Sequence, residues 1–130
     1  MTDIDFANEF GPWCVIAGGS EGVGSALAER LAQRGLKLLL IARKPGPLDA
    51  TAADIRQRFS TEVRTLSLDL TTQDALDKVV AAARDCEVGL LIYNAGADSS
   101  FDYFIDRPLE MSERMVMLNV MTPMRLVRHF

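Results

Sequence analysis

The sequence holds few of the residues that build metal sites, disulfide frameworks or nucleic-acid surfaces. It has one histidine and two cysteines, Cys14 and Cys86, too few for a zinc cluster or a disulfide framework. Acidic residues outnumber basic ones by 18 to 14 with no basic block, which disfavours a nucleic-acid partner. No apolar run approaches the roughly 18 residues that cross a bilayer, and the first residues lack a signal-peptide pattern. We therefore expect a cytoplasmic chain with no metal, membrane or nucleic-acid partner.

What remains is a globular composition in which strands and helices alternate. A chain of 130 residues corresponds to one domain at most. Short apolar runs predict buried strands at 13–17, 36–42, 63–68 and 88–93, with amphipathic helices between them. Pro108 opens a last helix that holds five of the six methionines, and we expect these to fill the core. The alternation predicts an α/β domain built on a parallel sheet.

A glycine-rich segment, Ala17-Gly18-Gly19-Ser20-Glu21-Gly22-Val23-Gly24, joins the first predicted strand to the first helix. Gly18, Gly22 and Gly24 fall where the chain must turn sharply, and glycine there allows positive φ and close approach to a ligand. The helix that follows directs its free N–H groups and positive dipole end at this loop. Loop and helix together predict an anion site, and the pyrophosphate of a dinucleotide is the ligand they favour.

Four features, in register over nearly the whole chain, resemble the short-chain dehydrogenase/reductase family. The glycines of 18–24 resemble the family's Thr-Gly-x-x-x-Gly-x-Gly loop, with Ala17 in place of threonine. Asp69 resembles the aspartate that contacts adenine, and Asn119 resembles the catalytic asparagine. The run Tyr-Asn-Ala-Gly at 93–96 resembles Asn-Asn-Ala-Gly, with Tyr93 in place of the first asparagine. The resemblance implies a Rossmann-type doubly wound parallel sheet of about four strands in the order 3-2-1-4.

The same resemblance implies hydride transfer between a nicotinamide and a small-molecule carbonyl or alcohol. Asn119 is the one catalytic residue that it places in this chain, and it implies no metal. The candidate cofactor-binding residues, taken from the motifs and from the residues after the second strand, are Gly18, Ser20, Glu21, Gly22, Val23, Gly24, Arg43, Lys44, Asp69, Leu70, Asn94, Ala95 and Gly96.

The residues after the second predicted strand favour NADP(H) over NAD(H). A domain that prefers NAD places Asp or Glu there to hold both ribose hydroxyls, whereas this chain has Ala42, Arg43 and Lys44. No carboxylate repels a 2′-phosphate, and the guanidinium fork suits phosphate. Glu21 is the counter-evidence, because some NADP-binding members of the family carry Lys or Arg at that loop position.

Pro123 follows Asn119 by four residues inside the last predicted helix. Proline has no N–H, so in a regular α-helix the Asn119 carbonyl loses its partner. Two interpretations are equally open. The freed carbonyl takes part in the proton relay that the family resemblance implies, or the proline only kinks the helix.

The family's Tyr-x-x-x-Lys pair occurs nowhere in the 130 residues, and the nearest sequence, 103–107, ends in arginine and lies in a predicted loop. We therefore expect the cofactor-binding half of a longer reductase, inactive alone and prone to self-association. Full-length relatives usually form oligomers through the last helix here and the next one.

The alternative is a noncatalytic dinucleotide-binding module that acts through a partner protein. A methyltransferase is disfavoured because it usually has an acidic residue where Ala42 and Arg43 stand. Asp98, Ser99 and Ser100 are expected to form a plain polar loop near the cleft.

Overall fold

A four-stranded parallel sheet lies at the centre of the computed structural model, which describes residues 5–96 and 101–130. The strands are β1 (Trp13–Ala17), β2 (Lys37–Ala42), β3 (Val63–Ser67) and β4 (Val88–Tyr93). Their order is β3-β2-β1-β4, and every pairing is parallel. The prediction of a Rossmann-type α/β sheet is confirmed. The strand order reverses between β1 and β4, which is where open parallel sheets bind ligands.

The described residues form six α-helices before, between and after the strands: α1 (Phe6–Phe10), α2 (Gly22–Gln33), α3 (Pro45–Phe59), α4 (Ala75–Ala82), α5 (Leu109–Val116) and α6 (Thr122–His129). A single π-helical turn, Met117–Met121, joins α5 to α6, and a 3₁₀ turn, Phe104–Asp106, precedes α5. Over residues 5–96 and 101–130, no helix is both long and apolar enough to cross a membrane.

The core has two halves because successive side chains of a strand point to opposite faces of the sheet. Cys14 and Ile16 of β1 join the cluster under α2 and α3, and Val15 and Ala17 join the cluster under α4 and α6. All five residues of β1 are buried. A strand covered on both faces reads as a continuous apolar run, which is why the sequence located β1 to the residue.

The last helical segment docks on the sheet through few side chains. Leu126 is fully buried in the second core half, and the buried Thr122 hydroxyl donates to the Leu70 carbonyl at 2.7 Å. The expectation that the methionines fill the core is wrong. None of the five is buried, and Met124 is 56% exposed. Leu126 and Thr122 occupy the helix face against the sheet, so the methionines lie on the flanks of that face.

Two helix starts and one helix face differ from the sequence-based expectations. The Pro-Gly-Pro of 45–47 is typical of a turn, yet α3 begins at Pro45, because proline at the first helical position needs no N–H partner. A capping box is expected at 71–74, but the Thr71 and Thr72 hydroxyls bond to Asp69, and α4 begins only at Ala75. The spacing of Val23, Leu27 and Leu31 predicts that they share the buried face of α2. Val23 is instead 66% exposed, because Gly24 and Ala28 take the buried side.

Candidate functional site

A cleft of about 470 Å³ opens at the carboxyl ends of the strands. The segments that follow all four strands, together with one side of α5, form its walls. This volume lies within the usual range for small-molecule and cofactor sites, roughly 300–1,000 Å³. The lining residues are Gly18, Ser20, Glu21, Ala42, Arg43, Lys44, Leu68, Asp69, Leu70, Thr71, Ala95, Gly96, Arg107, Met111, Arg114, Met115 and Leu118.

The glycine loop is packed so tightly that two of its positions have no room for a side chain. A Cβ on Gly24 would lie 1.8 Å from the Gly18 carbonyl oxygen and 3.0 Å from Asn94 Nδ2. A Cβ on Gly18, whose φ is +83°, would lie 2.7 Å from the Ala95 nitrogen. The loop, the first turn of α2 and the end of β4 are therefore in direct backbone contact.

The amino terminus of α2 faces the cleft without a side-chain cap in the described part of the chain. Glu21 occupies the N-cap position with an extended backbone, and its carboxylate accepts no capping hydrogen bond. The loop before it is fixed from α3, because Thr51 Oγ1 donates to the Ser20 carbonyl at 2.9 Å. Helical N–H groups without an internal partner attract anions. The start of α2, next to the cleft, is therefore a place where an anion can be held.

Two cations stand at the end of β2, beside the glycine loop. Arg43 and Lys44 are exposed and line the cleft, whereas Ala42 is buried. The Ser67 hydroxyl on β3 donates to the Arg43 carbonyl at 3.2 Å and so ties this turn to the neighbouring strand. The backbone of the turn is fixed while the cationic side chains remain at the surface. This arrangement suits a charged group that enters from solvent.

Asp69, after β3, is held by donors on both carboxylate oxygens. Its Oδ1 accepts from the Thr71 backbone N–H at 2.9 Å and from Thr71 Oγ1 at 2.7 Å, and its Oδ2 accepts from Arg114 Nη2 at 2.9 Å. Burial alone would raise the pKa of Asp69. The hydrogen bonds from Thr71 and Arg114 together outweigh burial, and the pKa is lowered. Asp69 is therefore an ionised acceptor at neutral pH on the wall of the cleft.

Substituting Asp69→Asn tests this electrostatic assignment. A carboxyl whose folded pKa is depressed stabilises the fold above its ordinary pKa of 3.8, and that contribution is lost as the pH falls through the lower folded value. The Arg114 side chain is 51% exposed, so we expect the variant to lose at most about 1 kcal/mol at neutral pH. Urea unfolding of both chains across the acid range measures the difference. A difference that stays constant below pH 3.8 would contradict the assignment.

The end of β4 meets the last helical segment at Gly96. Asn94 Nδ2 donates to the Gly18 carbonyl at 3.4 Å, which links β4 to the glycine loop. A Cβ on Gly96, whose φ is +157°, would lie 2.6 Å from Asn119 Oδ1. Asn119 Nδ2 in turn donates to the Met115 carbonyl at 3.0 Å. Gly96 therefore allows the Asn119 side chain to approach the cleft wall.

Most of the candidate site residues come together in this cleft. Those that line it are Gly18, Ser20, Glu21, Arg43, Lys44, Asp69, Leu70, Ala95 and Gly96. Five others, Gly22, Val23, Gly24, Asn94 and Asn119, lie outside the lining set. Gly24 and Asn94 support the loop from behind, and Asn119 contacts Gly96. Asp98, Ser99 and Ser100 lie outside the described residues.

The wall formed by α5 and its neighbouring residues was missed at the sequence level. Met111, Arg114 and Met115 lie in α5, Arg107 precedes it, and Leu118 lies in the π turn. Each of the positions 111, 114, 115 and 118 has another of the four at a spacing of three or four residues, so they share one helix face, which the sequence could have indicated. The missing information was that this face turns toward the cleft. The Asp69–Arg114 ion pair depends on that long-range packing.

The arrangement defines a class of protein: a Rossmann-type α/β domain with an open cleft at the carboxyl ends of its strands. The short chain dehydrogenase family model matches residues 12–130. The chain belongs to the short chain dehydrogenase family.

Known relatives agree with this assignment over one part of their length. The chain is 33% identical over 121 residues to the very-long-chain 3-oxoacyl-CoA reductase of Macaca fascicularis, covering 91% of this chain and 39% of that protein. A 7beta-hydroxysteroid dehydrogenase structure superposes with a TM-score of 0.91 at 30% identity, covering 95% of this chain and 49% of that one. A short-chain dehydrogenase from Sphingobium yanoikuyae in complex with NADPH gives 0.82 at 38% identity, covering 90% and 46%. The chain thus spans less than half the length of these relatives, which are oxidoreductases.

Proposed function

We propose that this chain forms the cofactor-binding part of an NADP(H)-dependent oxidoreductase. The reaction is hydride transfer between the nicotinamide and a carbonyl or alcohol carbon of a small molecule. The observation that carries the proposal is the cleft at the strand ends, with an uncapped helix start on one side and Arg43 and Lys44 on the other. The bound nicotinamide supplies or accepts the hydride, and this chain holds the dinucleotide.

Each wall of the cleft has a distinct binding task. The amino terminus of α2 and the loop from Gly18 to Gly24 hold the pyrophosphate, because their N–H groups face it and no side chain intrudes. Arg43 and Lys44 hold the 2′-phosphate. Asp69 accepts from the adenine amino group, in the manner that the family resemblance implies. Gly96 and Asn119 stand at the opposite edge of the sheet, toward the nicotinamide.

The preference for NADP(H) rests on this chain's own residues, since structural neighbours include complexes with NADPH and with NAD⁺. The second strand is followed by Arg43 and Lys44, and Glu21 on the glycine loop opposes a phosphate there, while the Asp69 carboxylate of the same cleft is already paired with Arg114. A guanidinium fork forms charge-assisted hydrogen bonds to phosphate, roughly twice as strong as neutral ones. The balance of charge at this end of the cleft therefore favours the phosphorylated cofactor.

Arg43→Glu tests the preference. The variant loses the guanidinium fork and gains a carboxylate that can hold ribose hydroxyls, so we expect NADPH affinity to fall about 100-fold and NADH affinity to stay within a few-fold. Calorimetric titration of the 130-residue chain with both cofactors measures the change. Arg84→Glu, the same charge change on an exposed residue outside the cleft, is the matched control. If the variant lost the same affinity for NADPH as for NADH, the assignment of Arg43 to the 2′-phosphate would be wrong.

Three further features belong to the same proposal. The 130 residues alone bind the cofactor without turnover, because they contain no Tyr-x-x-x-Lys pair to move the proton. The protein is cytoplasmic. It forms homo-oligomers through the helical segment from α5 to α6, where Val116 and Val120 are more than half exposed.

A noncatalytic dinucleotide-binding module that acts through a partner protein is the second candidate. The observation that favours it is the position of β4 at the edge of the sheet, where an unpaired strand can accept another chain. A natural reading frame that continues into a Tyr-x-x-x-Lys pair decides for the oxidoreductase. A natural stop after Phe130 with a folded product decides for the module.

A further inference from the structure

The helical segment that carries Asn119 is not a regular α-helix. Between α5 and α6 the chain makes one π-helical turn, in which the Thr122 N–H donates to the Met117 carbonyl five residues earlier. Such turns are rare and occur frequently at functional sites. Asn119 lies in the middle of this turn, so its side-chain position depends on whether the π register is kept.

Pro123 lies two residues after the π turn and supplies no N–H to the carbonyl that this turn would place opposite it. Continuing the register from Thr122 and Met117, residue 123 would donate to Leu118, but proline has no N–H. The sequence-based expectation assumed a regular α-helix, in which Pro123 stands opposite the Asn119 carbonyl. With the five-residue spacing of Thr122 and Met117, Pro123 stands opposite the Leu118 carbonyl. A buried carbonyl without a donor costs about 1–3 kcal/mol.

Tyr93 supplies the missing donor from the sheet. Its hydroxyl, at the end of β4, donates to the Leu118 carbonyl at 2.6 Å. Burial raises the pKa of Tyr93 to about 12, so the phenol remains protonated and able to donate at neutral pH. Tyr93 is also the residue that replaces the first asparagine of the family's Asn-Asn-Ala-Gly run. The Leu118 carbonyl thus accepts from Tyr93, a residue that departs from the family pattern, and stands five residues before Pro123, which cannot donate to it.

The same short segment touches the π turn at a second point. Gly96, three residues after Tyr93, gives space to Asn119 Oδ1, which lies 2.6 Å from where a Gly96 Cβ would be. Tyr93 and Gly96 therefore contact the consecutive residues Leu118 and Asn119. We propose that Tyr93 is a positioning residue: its hydroxyl holds the π turn that Pro123 leaves open, and so holds Asn119 beside Gly96 at the nicotinamide end of the cleft. The nicotinamide end itself rests on the proposed function.

The rest of the helix does not depend on this hydrogen bond. Thr122 donates to the Leu70 carbonyl at 2.7 Å, and Leu126 is fully buried one turn later. These contacts keep α6 docked when the Tyr93 hydroxyl is removed. The change Tyr93→Phe keeps the ring in place, so its effect is confined to the register of the π turn and to Asn119.

A rescue experiment tests the pairing of tyrosine with proline. Four chains are compared: the unmodified one, Tyr93→Phe, Pro123→Ala and the double variant. The Asn119 side-chain amide is followed by NMR, and the affinities for NADPH and for adenosine 2′,5′-bisphosphate by calorimetry. Tyr93→Phe should shift the Asn119 resonance and weaken NADPH about fivefold to tenfold, with the bisphosphate unchanged. In the double variant, the alanine N–H can donate to the Leu118 carbonyl. The Asn119 resonance and the NADPH affinity should then both return toward the values of the unmodified chain.

Tyr103→Phe is the matched control, because this tyrosine is 81% exposed and lies outside the cleft lining. An Asn119 resonance that does not move in Tyr93→Phe would overturn the inference, and so would a loss that Pro123→Ala does not repair. If no chain binds nucleotide, the proposed function fails, while the NMR rescue still decides the inference. If Tyr93→Phe does not fold, Pro123→Ala alone tests the inference. Its new N–H donor to the Leu118 carbonyl should shift the Tyr93 ring resonances. Unchanged ring resonances would contradict the proposed pairing of Tyr93 with Pro123.

Discussion

Replacing Gly24 by alanine should abolish nucleotide binding. The added Cβ would lie 1.8 Å from the Gly18 carbonyl oxygen, far inside van der Waals contact. The backbone fixes the position of a Cβ, and the oxygen is itself a backbone atom, so neither can rotate away. The first turn of α2 and the glycine loop would have to separate, at a cost of about 3 kcal/mol or more. We expect NADPH affinity to fall by more than about 100-fold in a titration of the folded chain. Circular dichroism of the same samples reports whether the α/β fold survives.

Gly46→Ala is the control for a glycine that needs no special space. It lies in the first turn of α3, and among the described atoms nothing approaches within 4 Å of its added Cβ. This variant should bind NADPH like the unmodified chain and be slightly more stable, since alanine favours helix over glycine by about 1 kcal/mol. A Gly24→Ala chain that binds NADPH normally would show that the loop and α2 are not in the close contact described above.

Leu126→Ala should cause the largest loss of stability among the substitutions considered. Leu126 is fully buried in the core half beneath α4 and α6, with Val15 and Leu39 of the sheet in the same cluster. Truncating a buried leucine typically costs about 2–5 kcal/mol, because apolar contact is lost and a cavity remains. That is a large share of the roughly 5–15 kcal/mol by which a domain of this size is stable. Urea unfolding measures the difference.

Val127→Ala, one residue further along α6, is the control for an exposed side chain. It also truncates an aliphatic residue of α6 to alanine, but without loss of buried contacts. Val127 is 67% exposed, so its truncation should change the free energy of unfolding by less than about 0.5 kcal/mol. If both variants lost the same amount of stability, α6 would not be docked through Leu126. Because α6 follows the π turn directly, the Leu126 variant should also weaken NADPH binding, whereas the Val127 variant should not.

The parts of the fold that local chemistry determines were predictable from the sequence. β1 could be located to the residue because a strand covered on both faces is a continuous apolar run. The glycine loop was predictable because close backbone approach excludes every other residue, as Gly18 and Gly24 show. The strand order came from the family resemblance. In each case the constraint lies within a few consecutive residues or in a motif of fixed spacing.

The features that depend on packing between distant segments could not be predicted. The π turn requires knowing that Tyr93 can reach the Leu118 carbonyl, 25 residues further along the chain. The Asp69–Arg114 ion pair likewise joins residues 45 apart. The capping box expected at 71–74 failed because Asp69 attracts the Thr71 and Thr72 hydroxyls more directly than the helix does. The sequence correctly predicted helices around these residues. Contacts between distant segments decided the π turn, the ion pair and the first residue of α4.

The central claim is that this chain is a working dinucleotide site that prefers the 2′-phosphorylated cofactor. Titration of the unmodified 130-residue chain with NADPH and with NADH, followed by nicotinamide fluorescence, tests it most directly. The account predicts saturable binding of both, with NADPH at least about tenfold tighter, as one charge-assisted contact from Arg43 would give. A folded chain that binds neither cofactor, or binds NADH as tightly as NADPH, would contradict it.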